Sequence, residues 1–219
     1  MMARIAALVW QLVEAACSVV GLRYGTEEPH YTVQRRTHGL EIRRYGPRVA
    51  AETTITADED AARNAGFRRL AGYIFGGNHR RAKIAMTAPV AQQSTEAEGG
   101  QNVAMTAPVS QAVGPGGSSV IRFFMPSKWT QDRLPEPNDE TIRLVNVPAE
   151  TVAVLRFTGS RSPSVVASRK SELLQLLRDT DFHPSGTPVA WFYDPPWTIP
   201  FRRRNEIAVP VMPVGEPVP

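Results

Sequence analysis

The sequence predicts an α+β fold in which a twisted antiparallel sheet or distorted β-barrel carries two flanking helices, with a further helix at the N-terminus. Three observations support this fold class. Apolar and polar residues alternate in the stretch 31–55, as they do in strands that bury one face. Two segments instead place apolar residues three and four positions apart, as amphipathic helices do. The order of these elements also recurs about 103 residues further along the chain.

Turn residues separate the predicted strands. The stretch 31–55 is rich in β-branched residues and is interrupted by His38-Gly39 and by Tyr45-Gly46-Pro47, which predicts three short strands joined by two turns. Further strands are predicted over 82–92, 101–110 and 118–126, on either side of Pro148-Ala149, and in the closing stretches "TPVAWFYDPP" and "NEIAVPV".

Two amphipathic helices interrupt the strands. The first is expected to begin near Thr56 and Glu59, which have capping-box spacing, and to end at Gly76-Gly77. The second is expected to begin at Ser162 as N-cap with Pro163 as its first residue. Their apolar faces comprise Gly66, Phe67, Leu70, Tyr73 and Ile74 in the first helix and Val166, Leu173, Leu174 and Leu177 in the second.

The recurrence divides the domain into two similar halves. Val49-Ala50 precedes the first helix, and Val152-Ala153 precedes the second helix 103 residues later. The same offset relates the strand at 84–90 to "TPVAWFY" at 187–193. We therefore expect two pseudo-symmetric halves of β-α-β-β type, each with one helix against the sheet. A cleft between such halves is a natural ligand site.

The N-terminal segment 1–24 is predicted to form an apolar or amphipathic helix. Its polar residues fall on one narrow stripe, and a central Glu14 disfavours both a spanning helix and an ordinary signal peptide. Three interpretations stay open: a helix on a membrane surface or partner, a degenerate export signal or anchor, and a helix docked on the domain. Residues 25–30 are expected to be a linker and 31–213 the folded domain. The expected location is cytoplasmic or membrane-associated, with export through a degenerate signal left open.

Charge and cysteine content restrict the classes of partner. The net charge is +4, because 25 basic residues are interspersed with 21 acidic ones. The only run of basic residues is Arg202-Arg203-Arg204, so nucleic-acid binding is not expected. Cys17 is the single cysteine, which excludes an intramolecular disulfide. The chain also lacks C-x-x-C-H spacing and zinc-finger spacing.

Catalytic motifs are not recognisable in the sequence. There is no nucleophile elbow, no phosphate-binding loop and no metal-ligand constellation, and Cys17 lies outside the predicted domain. We therefore predict that the protein is not an enzyme. The enzymatic alternative is a dechelatase or hydrolase acting in the cleft.

The phrase Ala-Met-Thr-Ala-Pro-Val occurs twice, within "KIAMTAPV" (Lys83–Val90) and "NVAMTAPV" (Asn102–Val109). In a hairpin of two extended segments, Met86 and Met105 would face the same side of the sheet. One interpretation is core packing, with methionine filling irregular gaps. The other is that both methionines line a flat apolar pocket.

Six stretches in order along 31–211 resemble a known family. They are "LEIRRYGP", "GFRRLAGYIFGGN", "KIAMTAPV", "IRFFMPS", "TVAVLRFTG" and "RRRNEIAV", and they resemble the SOUL haem-binding protein family. The resemblance implies a distorted barrel of two similar halves that binds haem and related tetrapyrroles non-covalently in an exposed apolar cleft. The same architecture occurs in gyrase-inhibitor-like and effector-binding domains, which take bulky, flat or cationic drugs.

The family's functional residues are replaced at the matching positions of this chain, and none of the propionate positions is basic here. One branch of the family uses a histidine in the "E-I-R-x-Y-G-P" turn as an axial ligand, and that position here is Arg44. Another branch places basic residues around the haem propionates, at positions that match Asn64, Gly72 and Ile199. Neighbouring arginines that could replace them are Arg63, Arg68, Arg69 and Arg202.

The candidate site combines these residues with aromatic and titratable side chains. His79, in the loop after the first helix, and His38, in a predicted hairpin turn, are the candidate iron ligands. Aromatic rings near the chain end could stack on a tetrapyrrole, and Glu206 could neutralise a cation. The candidate ligand-contacting residues are Met86, Met105, Phe67, Leu70, Tyr73, His79, Arg44, Trp191, Tyr193, Arg202 and Glu206.

The predicted function is non-enzymatic binding of haem or a related tetrapyrrole in an apolar cleft, for buffering or transport. The alternative is a binding module for other flat hydrophobic or cationic small molecules. The expected partner is therefore a small molecule and not a nucleic acid, with peripheral membrane contact through residues 1–24 as a further expectation.

Overall fold

The computed structural model describes residues 26–37, 39–94, 117–194 and 197–215. Ten antiparallel strands form one open sheet, which is covered by two helices, so the predicted α+β class is confirmed. The elements are β1 Tyr31–Thr37, β2 Leu40–Tyr45, β3 Arg48–Thr56, α1 Glu59–Ile74, β4 Val90–Ser94, β5 Ser118–Phe124, β6 Ile142–Val147, β7 Glu150–Phe157, α2 Pro163–Leu177, β8 Phe182–Pro184, β9 Val189–Phe192 and β10 Asn205–Pro213, with a 3-10 helix at Pro200–Arg202.

The strand order shows the two similar halves. The order across the sheet is β1-β2-β7-β10-β9-β4-β5-β3-β6, and β8 pairs with the end of β10. Moving outward from the central β9–β4 pair, β10 corresponds to β5, β7 to β3, and β2 to β6. Because α1 follows β3 and α2 follows β7, the helices occupy equivalent places. The recurrence in the sequence therefore corresponds to a pseudo-twofold arrangement.

The two halves exchange one strand each. Tyr45 at the end of β2 pairs with Glu150 of β7, and Arg48 at the start of β3 pairs with Val147 of β6. The register is thus unbroken across the Gly46-Pro47 turn, and β2–β3 forms one bent ribbon with β6–β7. This crossing ties the outer strands of each half to the other half.

The two helices pack against one face of the sheet and leave a helix-free face on the other side. On the first, α2 packs against β2, β7, β9 and β10, while α1 packs against β3, β5 and the segments around Ile84 and Leu134. Alternation along each strand sends the intervening side chains to the other face. The cluster on this helix-free face comprises Tyr45, Ala50, Ala88, Ala91, Phe124, Val152, Val154, Trp191, Tyr193 and Ala208.

The first copy of the repeated phrase is not the strand that the sequence predicts over 82–92. Residues 81–86 have no regular secondary structure, and β4 begins only at Val90. Pro89 has no N–H to donate to a ladder, which explains why pairing starts after it. The Thr87 hydroxyl instead donates a hydrogen bond to the Phe124 carbonyl. The second copy, the predicted strand 101–110, the N-terminal segment 1–24 and His38 lie outside the described residues.

The helix starts differ in detail from the predicted ones. The N-cap of α1 is Asp58, whose carboxylate accepts a hydrogen bond from the Ala61 N–H at 2.8 Å, so the predicted Thr56 capping box is wrong. Thr56 is the last residue of β3 and lies 3.1 Å from the Ser118 hydroxyl. Helix α2 starts as predicted after Ser162 with Pro163 at its first turn.

Strand β8 has only three residues, which are too few to give a periodic pattern in the sequence.

Two glycines of α1 form a matched pair for testing this packing. A Cβ on Gly66 would lie 2.4 Å from Cγ1 of Ile121 in β5, whereas a Cβ on Gly72 would meet nothing within 4 Å. We expect Gly66→Ala to lower the free energy of unfolding by about 1–3 kcal/mol through overpacking. Gly72→Ala should raise it by about 0.5–1 kcal/mol through helix propensity. Urea unfolding measures both, and equal effects at the two sites would contradict the close approach of α1 to β5.

Candidate ligand-binding cleft

A cavity of about 390 Å³ opens on the helix-free face of the sheet. Its apolar wall is built by Phe124 of β5, Val152 of β7, Trp191 of β9 and neighbouring small side chains. The polar part of its lining includes Gln93 and Thr187, and the Gln93 side-chain amide donates a hydrogen bond to the Thr187 hydroxyl. Strands of both halves therefore line the cavity.

Trp191 forms the aromatic floor of this cleft. Its ring contacts Tyr45 at 5.7 Å and Phe124 at 6.3 Å between centroids, both nearly edge-on. Strand alternation explains this placement, because Ala190 and Phe192 pack on the helix-covered side. The flat ring is buried by its neighbours and borders the cavity.

At one wall of the cleft, arginine side chains outnumber the carboxylates that they pair with. Arg122 donates to one oxygen of the Glu52 carboxylate from Nε at 3.1 Å and from Nη2 at 2.6 Å. Arg143 donates to the other oxygen of the same carboxylate at 2.9 Å. Two guanidinium groups thus share one carboxylate, and Arg122, which lines the cavity, keeps part of its surface exposed.

A second arginine lies beneath the cleft wall. The Arg48 guanidinium lies 4.4 Å from the Tyr45 ring centroid and 4.5 Å from the Phe124 ring centroid, and it pairs with Glu150 at the cavity edge. Within the described residues its Nε and Nη1 are buried without a hydrogen-bond partner. Burial lowers the pKa of Arg48, although the charge of Glu150 opposes this effect.

Glu206 of β10 is completely buried at one end of the same face. Arg43 of β2 donates to both of its oxygens at 2.8 and 3.1 Å, and Arg204 donates at 2.9 Å. The Tyr193 hydroxyl donates a further hydrogen bond at 2.6 Å. The carboxylate therefore has two cationic partners and a phenol within the protein.

The network fixes the ionisation of its members. Burial would raise the pKa of Glu206, but the hydrogen bonds and charge of Arg43, together with the charge of Arg204, hold it below its ordinary value. Burial raises the pKa of Tyr45 to about 12, against the opposing effect of Arg43. Burial and the Glu206 charge raise the pKa of Tyr193 well above its usual value. Glu206 is therefore ionised and both phenols are protonated near neutral pH.

The structure brings together three of the candidate residues from the sequence. Trp191 lines the cleft, and Tyr193 and Glu206 lie beside it on the helix-free face. Met105 and His38 are outside the described residues.

Four other candidates lie on the helix-covered side. Leu70 and Tyr73 of α1 are fully buried, and the Tyr73 hydroxyl donates to the Pro135 carbonyl at 2.9 Å. Met86 is half-buried against the same cluster. Phe67 stays 39% exposed, with its ring 5.4 Å from that of Phe123. These four side chains form a group of their own, separated from the cleft by the sheet.

The remaining candidates are on the surface. His79 is exposed, and its Nδ1 lies 3.3 Å from a carboxylate oxygen of Glu136. Arg44 is exposed and donates to the Thr151 hydroxyl at 3.2 Å. Arg202 is exposed in the 3-10 helix.

Sequence reasoning missed the charged part of the cleft. Arg122 stands between the buried Ile121 and Phe123, and Glu52 interrupts the apolar stretch of β3. A charged residue inside an otherwise apolar strand was the available signal, because a charge there needs either solvent or a paired partner.

Among the described residues, the cleft has no side chain of a type that usually ligates haem iron. The described residues that line it include no histidine, cysteine, methionine or tyrosine. Within the described ranges, no group of three or more His, Cys, Asp or Glu side chains is placed to hold a metal ion. In the same part of the chain, neither helix has the length and apolar character needed to cross a membrane.

The fold is similar to that of a solved structure with little sequence identity. The C-terminal domain of EcmrR superposes with a TM-score of 0.55 at 12% identity, covering 84% of this chain and 99% of that domain. At this level of identity the likeness concerns the fold alone.

The family follows from the sequence match. The family profile described as SOUL heme-binding protein matches residues 26–210, and the chain belongs to this family. Heme-binding protein 2 of Mus musculus is 31% identical over 140 residues, which cover 64% of this chain and 62% of the mouse protein. Heme-binding protein 1 of Xenopus laevis is 28% identical over 148 residues, covering 68% of this chain and 70% of that protein. The match thus spans about three fifths of the mouse relative's length.

Proposed function

We propose that the protein binds haem or a related tetrapyrrole, non-covalently and without catalysis, in the cleft of the helix-free face. The observation that carries the proposal is Trp191, a flat aromatic floor in an apolar cleft with arginine in excess at one wall. Membership of the SOUL family and the heme-binding names of the relatives support the choice of ligand.

The residues present fit the organic part of haem. A macrocycle offers a flat apolar face for Trp191 and Phe124, and its propionates offer carboxylates to Arg122. Ligand pockets commonly have volumes of roughly 300–1,000 Å³, so a cleft of about 390 Å³ is small. We therefore expect one edge of the macrocycle to enter while the propionate edge stays near the surface.

The chain's own residues would hold the ligand by burial and charge. Removing apolar surface from water contributes about 25 cal/mol per Å². An arginine fork adds directional pairing to a carboxylate. Bound iron would supply redox or ligand-binding chemistry, but no step in this proposal depends on it. A partly exposed ligand without a strong axial donor exchanges readily, which suits buffering or transport.

A cationic ligand fits the cleft less well. Glu52 and Glu150 are paired with arginines, and Glu206 is paired with two. At Glu150 or Glu206 a cation would have to displace a buried arginine and leave it unpaired. At Glu52 it would compete with two arginines that already share the carboxylate. The binding of flat cationic molecules is therefore not our proposal for this cleft.

A haemin titration tests both the ligand and its place. We expect a saturable one-to-one shift of the Soret band and quenching of tryptophan fluorescence. Thr187→Trp at the cleft rim should weaken binding roughly tenfold or more by filling the opening. Thr187→Ala, which only removes the hydrogen bond to Gln93, is the matched control and should bind at least as well as the wild type.

The outcomes separate two kinds of failure. A spectrum identical to that of free haemin would refute haem binding itself. A normal titration by Thr187→Trp would keep haem as ligand but move it out of the cleft. Phe67→Ala would then be tested on the helix-covered side, where Phe67 and Met86 provide the other apolar surface.

A further inference from the structure

The Arg48 guanidinium is buried with more hydrogen-bond donors than acceptors around it. Its side chain is only 8% exposed, and it lies over the rings of Tyr45 and Phe124. Among the described residues, Nη2 donates to the Glu150 carboxylate, while Nε and Nη1 have no acceptor. Unsatisfied donors on a buried charge are costly. Arg48 is therefore suited to a carboxylate that accepts more than one of its hydrogen bonds.

Glu150 is held less firmly than Glu52 and Glu206, which also pair with arginines on the helix-free face. Glu52 accepts hydrogen bonds from two arginines, and Glu206 accepts from two arginines and a tyrosine. Within the described ranges, Glu150 accepts from Arg48 alone, and its side chain is 26% exposed. Glu150 can therefore turn into solvent and regain its hydration, at the loss of a single partner.

The position of Glu150 makes it the first acid that a ligand in the cleft meets. Glu150 is the first residue of β7 and lines the cavity together with Arg122 and Val152. Neither Glu52 nor Glu206 is among the residues that line it. Arg48 lies behind this wall, where its Nη2 faces the Glu150 carboxylate. A ligand that takes the place of the Glu150 carboxylate therefore reaches Arg48.

Such an exchange discriminates between ligands by their charge. A neutral ligand that displaced Glu150 would leave Arg48 buried and unpaired, and breaking a buried ion pair from one side is strongly unfavourable. A ligand carboxylate restores the pair. Because Nη1 and Nη2 lie side by side on a guanidinium, one carboxylate can accept from both. The exchange is thus favoured for ligands that carry a carboxylate of their own.

We propose that a ligand carboxylate takes the place of Glu150 on Arg48, so that Glu150 is an internal competitor and Arg48 a specificity-determining residue of the cleft. This inference rests on the proposed binding of haem or a related tetrapyrrole and adds a second arginine to Arg122. The two propionates of haem supply one carboxylate for each of these arginines. A ligand without carboxylates leaves Glu150 in place and gains nothing from Arg48.

Haemin and haemin dimethyl ester are the probes that test this exchange, because they share the ring and the iron but the ester has no free carboxylate. Both are titrated into the full-length protein at the Soret band. Glu150→Gln keeps the size of the side chain and removes the competing charge. We expect this variant to bind haemin roughly tenfold more tightly than the wild type, with no gain for the dimethyl ester.

Arg48→Met should cancel this gain. In the Arg48→Met background, the additional change Glu150→Gln should leave haemin affinity unaltered, because the guanidinium that profits from the removed charge is absent. Glu172→Gln is the matched control, since Glu172 of α2 also pairs with one arginine, Arg169, but lies away from the cleft. It should bind both probes like the wild type. Far-UV circular dichroism verifies the fold, and Glu150→Gln alone decides the question if Arg48→Met does not fold.

The outcomes separate this inference from the function on which it rests. Absence of haemin binding by the wild type would refute both. Haemin binding that Glu150→Gln leaves unchanged would overturn the exchange and leave tetrapyrrole binding intact. An equal gain for haemin and its dimethyl ester would also overturn it, because Glu150→Gln would then merely make the cleft less polar. A gain confined to haemin and lost with Arg48→Met would support it.

Discussion

Glu206→Gln is expected to lower the free energy of unfolding by about 3–5 kcal/mol, the typical cost of breaking a buried ion pair from one side. The carboxylate is fully buried and accepts four hydrogen bonds from three side chains. A neutral amide leaves the guanidinium groups of Arg43 and Arg204 without their counter-charge. It also cannot accept all four hydrogen bonds, since half of the amide is a donor.

Glu41→Gln is the matched control for this substitution. Glu41 is on the same strand as Arg43 and accepts from its Nε at 2.8 Å, but its side chain is partly exposed. Solvent screens such a pair, so we expect a loss of about 1 kcal/mol or less. Urea unfolding of both variants gives the comparison, and similar losses would refute the central role of Glu206 in the network.

Acid should remove the stabilisation that the ionised Glu206 contributes to the folded state. Because the native pKa of Glu206 is below its ordinary value of 4.5, the folded state binds this proton less readily than the unfolded state. The stabilisation is complete above that value and is lost as the pH falls through the lowered native pKa. Wild-type stability should therefore fall more steeply below pH 4.5 than that of Glu206→Gln. Parallel curves would mean that Glu206 does not carry this dependence.

The sequence predicts the elements of this fold better than their contacts. Hydrophobic periodicity locates α1, α2 and most of the strands, because the periodic pattern of each element involves only residues that are close together in the sequence. The ion pair between Arg43 and Glu206 joins positions 163 residues apart, and no local pattern encodes it. The family resemblance likewise gives the two-halved architecture, which the strand order confirms.

The candidate site illustrates a different limit. Met86, Leu70 and Tyr73 have the apolar character of pocket residues, yet they pack on the helix-covered side. Periodicity places a side chain on one face of its own element but does not say which face of the sheet encloses a cleft. The sequence suggests Trp191 as a ligand contact because of its aromatic ring. It does not suggest Arg122, because nothing in the local pattern of that apolar strand shows that this side chain faces the cleft.

Trp191→Leu should combine a loss of stability with a loss of ligand affinity. The indole is almost fully buried between Tyr45 and Phe124, so we expect unfolding to become about 2–4 kcal/mol easier through lost contacts and a residual cavity. If the cleft holds a flat macrocycle, removal of its aromatic floor should also weaken haemin binding roughly tenfold, as expected for one lost ring contact.

Trp129→Leu separates these two effects. Trp129 packs partly buried against the cluster under α1, and its indole N–H is buried without an acceptor among the described residues. Its replacement removes an unsatisfied donor along with apolar contacts, so the net change in stability should be small. Haemin affinity should be unchanged, because the sheet separates this ring from the cleft. Equal affinities of the two variants would show that the ligand does not stack on Trp191.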